Sequence, residues 1–228
     1  MIYITGDTHG DLQRFKTHAA KKLKKDDYLI ICGDFGFLWS DSAEERKNLE
    51  FLQSRKYTIL FLDGCHENFD ALERYPTVDF CTGKARKIAK NIYQLMRGEI
   101  FEIEDYSIFA FGGGVSPDLD LVVDSGNWSE KEMPTQDEYK NGAENLQLAG
   151  SVVDYIVTHE PPALIKKRFE PKAGANDINL YFEELRKAVR YNQWFFGSLH
   201  LDKKLNDKTI AVFKDILPIG QVVKARRF

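Results

Sequence analysis

The chain has 228 residues, of which 43% are hydrophobic and 29% are charged, and its formal net charge is -3. These values are typical of a globular protein with a sizeable core, and the length suits a single domain over residues 1–228. The weak negative charge argues against a protein that coats nucleic acid, so no stable nucleic-acid complex is expected. Because an apolar strand pattern starts at once and no run is long enough to cross a bilayer, we expect a cytoplasmic protein without a membrane partner.

The first third of the chain alternates strands and helices. Short apolar runs at residues 2–5, 28–32 and 58–62 are rich in β-branched and aromatic side chains, which is typical of buried strands. Helices are predicted between them at residues 12–23 and 42–55, the second with Ser42 as its N-cap. This alternation indicates a parallel sheet with right-handed crossovers.

The middle of the chain has a more strand-like pattern. Residues 92–96, 100–103 and 107–111 predict three shorter strands. A glycine-rich loop follows over residues 112–134. Because loops of this length in a compact domain are usually functional, we expect this one to form a wall of a substrate pocket.

The last third returns to alternating elements. Helices are predicted at residues 134–149 and 178–189, and strands at residues 155–157 and 194–196. From Leu201 onward the pattern predicts a hairpin followed by a further strand.

Five of the predicted strands are followed by side chains that can hold a metal ion. In open α/β sheets, ligands bind beyond the carboxyl ends of the strands, so these side chains are expected to meet at one place. Imidazole and carboxylate together suit Zn, Fe, Mn, Co or Ni, and two such ions can clamp a phosphoryl group and activate a water. In chain order, the candidate residues are Asp7, His9, Asp34, Cys65, His66, His159 and His200.

The order of these motifs, D-x-H, G-D, G-x-H-E, H and G-x-x-H, resembles the calcineurin-like metallophosphoesterase superfamily from Asp7 to His200. The resemblance implies an α/β fold of two mixed β-sheets sandwiched between helices, in four layers ordered αββα. It also implies a phosphoric ester hydrolase, a phosphatase or a phosphodiesterase, that works through metal-activated water. The implied cofactors are one or two divalent metal ions, Mn, Zn or Fe.

The resemblance also implies a role for each ligand by its position. The first metal would be held by Asp7, His9 and His200. Asp34 would bridge the two metals, and His159 would hold the second.

His66 matches the family histidine that lies near the leaving oxygen as a proton donor or charge stabiliser. The sequence departs from the family pattern at two metal-binding positions. Cys65 stands where the family has a metal-binding Asn, and Ser198 stands where it has a metal-binding His, so both changes affect the second metal. A thiolate from Cys65 would rebuild that site and favour zinc, whereas without it the site is weakened or empty.

A third departure concerns the residues after Asp34. Many family members continue G-D-x-x-D-R, whereas residues 33–39 read GDFGFLW. The acidic partner and the phosphate-gripping Arg of the family pattern are therefore missing, which leaves open what orients His66.

Three functions follow from these residues. The first is hydrolysis of a phosphate ester on a small molecule, a nucleotide or a phosphoprotein. The second is a catalytically impaired family member that binds a metal ion or a nucleotide, which the changes at Cys65 and Ser198 motivate. The third is a metal-dependent hydrolase of a non-phosphate ester or anhydride.

Some nearby residues are assigned structural roles. Asp63 and Glu67 are expected to cap a helix or orient a neighbour. Arg97 either reaches an anionic substrate or forms a surface ion pair, and the surface ion pair is the default. Aromatic residues after Asp34, including Phe35 and Trp39, either pack in the core or frame the substrate opening, and core packing is the default.

Overall fold

The structure is a computed structural model that describes residues 1–116 and 129–220. Its strands form two mixed β-sheets, and helices pack on their outer faces, as the four-layer α/β prediction requires. Residues 117–128, within the predicted loop at 112–134, lie outside the described residues.

The first sheet has seven strands in the order β13-β1-β2-β3-β6-β5-β4. Four neighbours, β1, β2, β3 and β6, run parallel, while β13, β5 and β4 each pair antiparallel. The bounds are β1 Ile2–Thr5, β2 Tyr28–Ile31, β3 Thr58–Phe61, β4 Thr77–Phe80, β5 Gly83–Ala89, β6 Ile92–Leu95 and β13 Leu217–Pro218.

The second sheet has six strands in the order β11-β12-β10-β9-β8-β7. Its centre, β12, β10, β9 and β8, is parallel, and its two outer strands pair antiparallel. The bounds are β7 Glu99–Ile103, β8 Tyr106–Phe111, β9 Tyr155–Thr158, β10 Gln193–Phe196, β11 Lys203–Lys204 and β12 Thr209–Ala211.

The helices are short. Thr135 forms a capping box with Glu138 at the start of the longest one. None of the helices in the described part of the chain is long and apolar enough to span a bilayer. Their bounds are α1 His18–Lys22, α2 Ala43–Gln53, α3 Phe69–Leu72, α4 Gln136–Leu148, α5 Ala163–Phe169 and α6 Asp177–Ala188, with 3-10 turns at Leu12–Lys16 and Glu130–Glu132.

The central strands, such as β2 and β9, are largely buried on both faces, which explains their continuous apolar sequences. Ile30 of β2 and Val157 of β9 belong to the same central core, which fills the space between the sheets. The neighbouring side chain Leu29 points outward into a second core under α1 and α2. On the other side, Ile156 packs with Phe182 of α6 in a third core. This packing fixes both sheets, and so the ends of their strands.

The single helix predicted at residues 12–23 is wrong, because the segment forms a 3-10 turn and then α1. The break is at Thr17, which has an extended backbone and accepts a hydrogen bond from the backbone N–H of Ala20. Thr side chains compete with the helix for backbone hydrogen bonds, and here the side chain caps a new helix.

Besides the 3-10 turn at Glu130–Glu132, four elements were not predicted from the sequence: the strands β4 and β5 and the helices α3 and α5. The strands β4 and β5 lie at one edge of the first sheet, where charged residues such as Lys84 and Lys87 point outward. Charged side chains are common on edge strands but weaken the apolar alternation on which strand prediction depends. The helix α5 follows Pro161 and Pro162, which the sequence pattern indicates as a loop.

Candidate metal centre

Five loops meet at the end of the molecule where the parallel strands of both sheets terminate. Asp7, Asp34 and His66 follow the adjacent parallel strands β1, β2 and β3 of the first sheet. His159 and His200 follow the adjacent parallel strands β9 and β10 of the second. Parallel neighbours end at the same edge of a sheet, so the topology brings these residues together.

Four of the predicted ligands form one cluster. Asp7, His9, Asp34 and His200 each offer an atom that lies within 4.8 Å of the others. Nε2 of His9 is 3.0 Å from Nε2 of His200. That same nitrogen of His200 is 3.0 Å from Oδ2 of Asp7. Nδ1 of His9 is 3.8 Å from Oδ2 of Asp34.

Asp7 is the residue of this cluster that most needs a cation. Its side chain is fully buried, and among the residues that the structure describes neither carboxylate oxygen has a well-formed hydrogen bond. Its nearest imidazole nitrogens are Nε2 of His200 at 3.0 Å and Nδ1 of His159 at 3.5 Å, and a buried carboxylate whose partners are poorly aligned is costly, because it has lost its hydration. A divalent ion between the carboxylates and imidazoles would supply the missing interaction, so these residues fit a metal site.

The backbone is strained at three of these four positions. His9, Asp34 and His200 have φ values of 45°, 44° and 48°. Residues other than glycine rarely adopt this left-handed region, and such strain is typical of functional sites.

Glycines allow other backbone segments to approach the two aspartates closely. A Cβ at Gly197 would overlap Oδ1 of Asp7 and the carbonyl oxygen of Cys32. A Cβ at Gly64 would overlap Oδ1 of Asp34. Glycine is therefore required at both positions for the strand ends to converge.

A second cluster comprises Asp34, Cys65 and His66. Nδ1 of His66 is 2.9 Å from Oδ2 of Asp34 and 3.3 Å from Sγ of Cys65. The backbone N–H of His66 also donates to Oδ1 of Asp34 at 2.8 Å. Asp34 thus belongs to both clusters. It is also the residue that orients His66, a role for which the sequence, without the family's G-D-x-x-D-R motif, had offered no candidate.

His159 lies beside both aspartates but in neither cluster. Its ring is buried, and Nδ1 donates to the carbonyl oxygen of Cys32 at 3.2 Å. Nδ1 is also 3.5 Å from Oδ1 of Asp7, and Nε2 is 3.9 Å from Oδ1 of Asp34. Because Nδ1 is the donor, Nε2 is the nitrogen that is free to accept a metal.

The electrostatics of the site favour cations. Burial lowers the pKa of His159, but the charges of Asp34 and Asp7 outweigh it and raise that pKa well above its ordinary value. Burial raises the pKa of Asp34, but the charge of His159 and hydrogen bonds from His66 outweigh it and lower that pKa. The hydrogen bond to Asp34 raises the pKa of His66 to about 11. Both carboxylates are therefore ionised, and they stabilise any positive charge placed between them.

A sequence model of the family described as calcineurin-like phosphoesterase matches residues 1–213 of this chain. The chain belongs to the calcineurin-like phosphoesterase family. The match covers all seven candidate site residues, so the resemblance drawn from the motifs is confirmed at the level of the family.

Comparisons with individual proteins add little to the family assignment. No curated protein sequence matches the chain. Among solved structures, it is similar to the phosphopantetheinyl hydrolase from Mycobacterium tuberculosis, with 13% identity and a TM-score of 0.40. That alignment covers 93% of this chain and 87% of the other. We draw no functional argument from a likeness at this level.

One residue that supports the site was missed by sequence reasoning. The guanidinium of Arg14 donates to the carbonyl oxygen of Asp7 at 2.8 Å, to Oγ1 of Thr5 at 2.9 Å, and to the carbonyl oxygen of Phe213. The Phe213 ring in turn stacks on His200, with 4.8 Å between ring centroids. Arg14 thus links the backbones that carry two candidate ligands, and nothing in its own sequence context signals this.

The expected surface ion pair of Arg97 is wrong, because its side chain is buried. Its Nε and Nη2 donate to Oδ2 of Asp63 at 2.9 Å and 2.6 Å. Glu67 is also buried and accepts from the backbone N–H groups of Phe35 and Gly36 at 2.5 Å and 3.4 Å. Asp63 and Glu67 therefore orient neighbours, as predicted, and Phe35 packs in the core.

Proposed function

We propose that this chain is a metal-dependent phosphoesterase that hydrolyses a phosphate ester by attack of water. The observation that supports it best is the Asp7 carboxylate, which is buried among two imidazoles and a second carboxylate without a well-formed hydrogen bond in the described part of the chain. The family to which the chain belongs supports the reaction class.

The proposed ligands divide between two metal positions. One or two divalent ions of Mn, Zn or Fe bound here would activate the attacking water and neutralise charge on the phosphoryl oxygens. The first position comprises Asp7, His9, Asp34 and His200. The family pattern gives the second to Asp34, Cys65 and His159, whose Nε2 is 3.9 Å from Oδ1 of Asp34, while His66 also offers a ligand atom close to Asp34 and Cys65.

His66 is the proposed catalytic residue. Its Nδ1 faces Asp34, so its Nε2–H points to the opposite edge of a ring whose side chain is 51% exposed. The raised pKa keeps His66 protonated at neutral pH, so it can donate a proton to the leaving alkoxide. Asp34 fixes the ring orientation that this transfer needs.

The substrate class follows from the same charges. The site would accept a phosphorylated small molecule, a nucleotide or a phosphoprotein, because its metal positions and His66 all stabilise negative charge. The proposal covers both phosphatase and phosphodiesterase activity.

Chelation followed by metal return tests this function. The full chain is dialysed against a chelator, then assayed with p-nitrophenyl phosphate and bis-p-nitrophenyl phosphate after addition of Mn or Zn. We expect hydrolysis to stop and then recover. The variant His200→Ala should lose activity, while His18→Ala is the matched control because His18 is exposed on α1. Unchanged turnover after complete chelation would refute the proposal.

A second candidate function is an impaired family member that binds a metal or a nucleotide. The observation that favours it is Ser198, whose Oγ is buried and has no hydrogen-bond partner among the described residues. A serine supplies no imidazole to a second metal. Elemental analysis discriminates, since an impaired module would bind metal without hydrolysing either aryl phosphate.

A further inference from the structure

Cys65 brings a sulfur atom to the point where Asp34 and His66 meet. Its Sγ is 3.3 Å from Nδ1 of His66, and that nitrogen is 2.9 Å from Oδ2 of Asp34. All three residues offer a ligand atom within 4.8 Å of the others. A half-buried thiol with no role in binding would not require a carboxylate and an imidazole beside it.

The spacing of the three atoms suits a tetrahedral ion. Zinc binds sulfur at about 2.3 Å and imidazole nitrogen at about 2.0–2.1 Å, so neighbouring ligand atoms lie roughly 3.4–3.6 Å apart. The observed separations of 2.9 Å and 3.3 Å are within about 0.5 Å of that range. Small side-chain rotations would therefore complete the site.

The backbone holds the cluster in place. The N–H of His66 donates to Oδ1 of Asp34, which fixes residues 65 and 66 over the carboxylate. Gly64, directly before them, has no Cβ to collide with that same oxygen. The sulfur is thus positioned by the main chain.

We propose that the second metal position is a thiolate site formed by Asp34, Cys65 and Nδ1 of His66, and that it selects zinc over manganese. The inference rests on the proposed function, because it concerns the same centre. On binding, the thiol of Cys65 and Nδ1 of His66 each release a proton to solvent, and the thiolate and the freed ring nitrogen form bonds to the metal. Three protein ligands leave a fourth tetrahedral position open, as in catalytic zinc sites.

In this ligand set His66 acts as a charge stabiliser, in place of the proton transfer open to the metal-free ring. With the metal on Nδ1, the neutral ring keeps a proton on Nε2 at the exposed edge, from where it can donate a hydrogen bond to the leaving oxygen. Thiolate ligands favour Zn, whereas Mn prefers oxygen ligands, so Cys65 changes which ion the position takes. The family Asn at this position offers only an amide oxygen.

Cobalt titration tests the inference through a signal that does not depend on activity. A cobalt ion bound to a thiolate absorbs in the near ultraviolet by sulfur-to-metal charge transfer, whereas nitrogen and oxygen ligands do not give this band. The metal-free full chain is titrated with Co(II), alongside Cys65→Ser and Cys65→Asn. Cys81→Ser is the matched control, because Cys81 is partly buried in the turn between β4 and β5.

We expect the band in the parent and in Cys81→Ser, saturating at one cobalt thiolate per chain, and its loss in both Cys65 variants. Zinc should displace cobalt from this position, and a large excess of Mn should not. Absence of the band in the parent, or its persistence in Cys65→Asn with a native circular dichroism spectrum, would overturn the inference.

The two proposals fail in different ways. Metal-dependent hydrolysis by a parent without the charge-transfer band would leave the phosphoesterase proposal standing and reject the thiolate site. A strong charge-transfer band in a chain that hydrolyses neither aryl phosphate with any added ion would support the thiolate site and reject the phosphoesterase proposal.

Discussion

Nε2 of His9 lies 3.0 Å from Nε2 of His200, although 191 positions separate the two residues in the chain. Two imidazole nitrogens this close must share a proton or a cation. Because Oδ2 of Asp7 lies 3.0 Å from the same nitrogen of His200, a cation is the better match to the charges present.

Replacement of Gly197 by Ala should damage the centre. The new Cβ would overlap Oδ1 of Asp7 and the carbonyl oxygen of Cys32, so the loop must move. We expect a loss of about 2–3 kcal/mol in the free energy of unfolding and a roughly tenfold or greater loss of zinc affinity. Both are measurable by denaturation and by competition with a zinc indicator.

The control for that variant is Gly174→Ala. Gly174 has a φ of +74°, and a Cβ there would meet nothing within 4 Å among the described residues. It should cost about 1–2 kcal/mol of backbone strain and leave zinc affinity unchanged. Equal zinc affinity in the two variants would contradict the steric argument.

Loss of Arg14 should weaken the centre indirectly. In Arg14→Met the carbonyl oxygens of Asp7 and Phe213 lose a charged donor, so we expect a loss of about 2 kcal/mol in stability. Zinc affinity should fall roughly tenfold, because outer contacts orient the ligands. The control is Arg46→Met, whose exposed pair with Asp41 should be worth less than about 0.5 kcal/mol. A similar zinc affinity in both variants would refute a positioning role.

The strand ends show why sequence alone predicted that the candidate ligands lie together. Each candidate ligand follows a short apolar run, and the carboxyl ends of parallel strands meet at one edge of a sheet. The proximity of Asp7, Asp34 and His200 could therefore be predicted from the sequence. The individual atom contacts could not. The rotation of His66 toward Asp34 depends on a backbone N–H whose position only the folded loop determines. The strand β5 was missed because pairing with its neighbours β4 and β6 outweighs a charged sequence of low strand propensity.

The stability of the metal-free protein should depend on pH through His66. The pKa of His66 is raised from 6.5 to about 11 by its hydrogen bond to Asp34. Its stabilising contribution is therefore complete below pH 6.5 and is lost as the pH rises toward about 11. The difference in unfolding free energy between the parent and His66→Gln should shrink over that window.

That pH dependence should shrink when the acceptor is removed. Asp34 makes the largest contribution to the raised pKa of His66, and Cys65 adds to it, so in an Asp34→Asn background the cost of His66→Gln should vary much less with pH over the window. An undiminished pH dependence in this background would show that another group is responsible.

Restoring the family residues tests the state of the second metal position. In the double variant Cys65→Asn, Ser198→His, an amide and an imidazole replace a thiol and a hydroxyl. We expect manganese binding, measured by elemental analysis, to rise toward two ions per chain, and turnover with manganese to rise with it. Unchanged manganese binding would mean that the parent position is already complete.

The buried pair of Asp63 and Arg97 should be far more important for stability than exposed pairs. Their side chains are 2% and 6% exposed. Removing one partner leaves a buried charge, so Asp63→Ala should cost about 3–5 kcal/mol. Asp79→Ala breaks the exposed pair with Lys84 and should cost less than about 1 kcal/mol. Chemical denaturation compares the two, and equal costs would contradict this account.

The most direct test of the central claim is an anomalous difference map from crystals of the zinc-loaded protein. If Asp7, His9, Asp34 and His200 hold one cation, a peak should lie about 2.0–2.2 Å from an oxygen or nitrogen of each. A zinc-loaded crystal with no peak among these four residues, or with zinc bound only elsewhere, would contradict it.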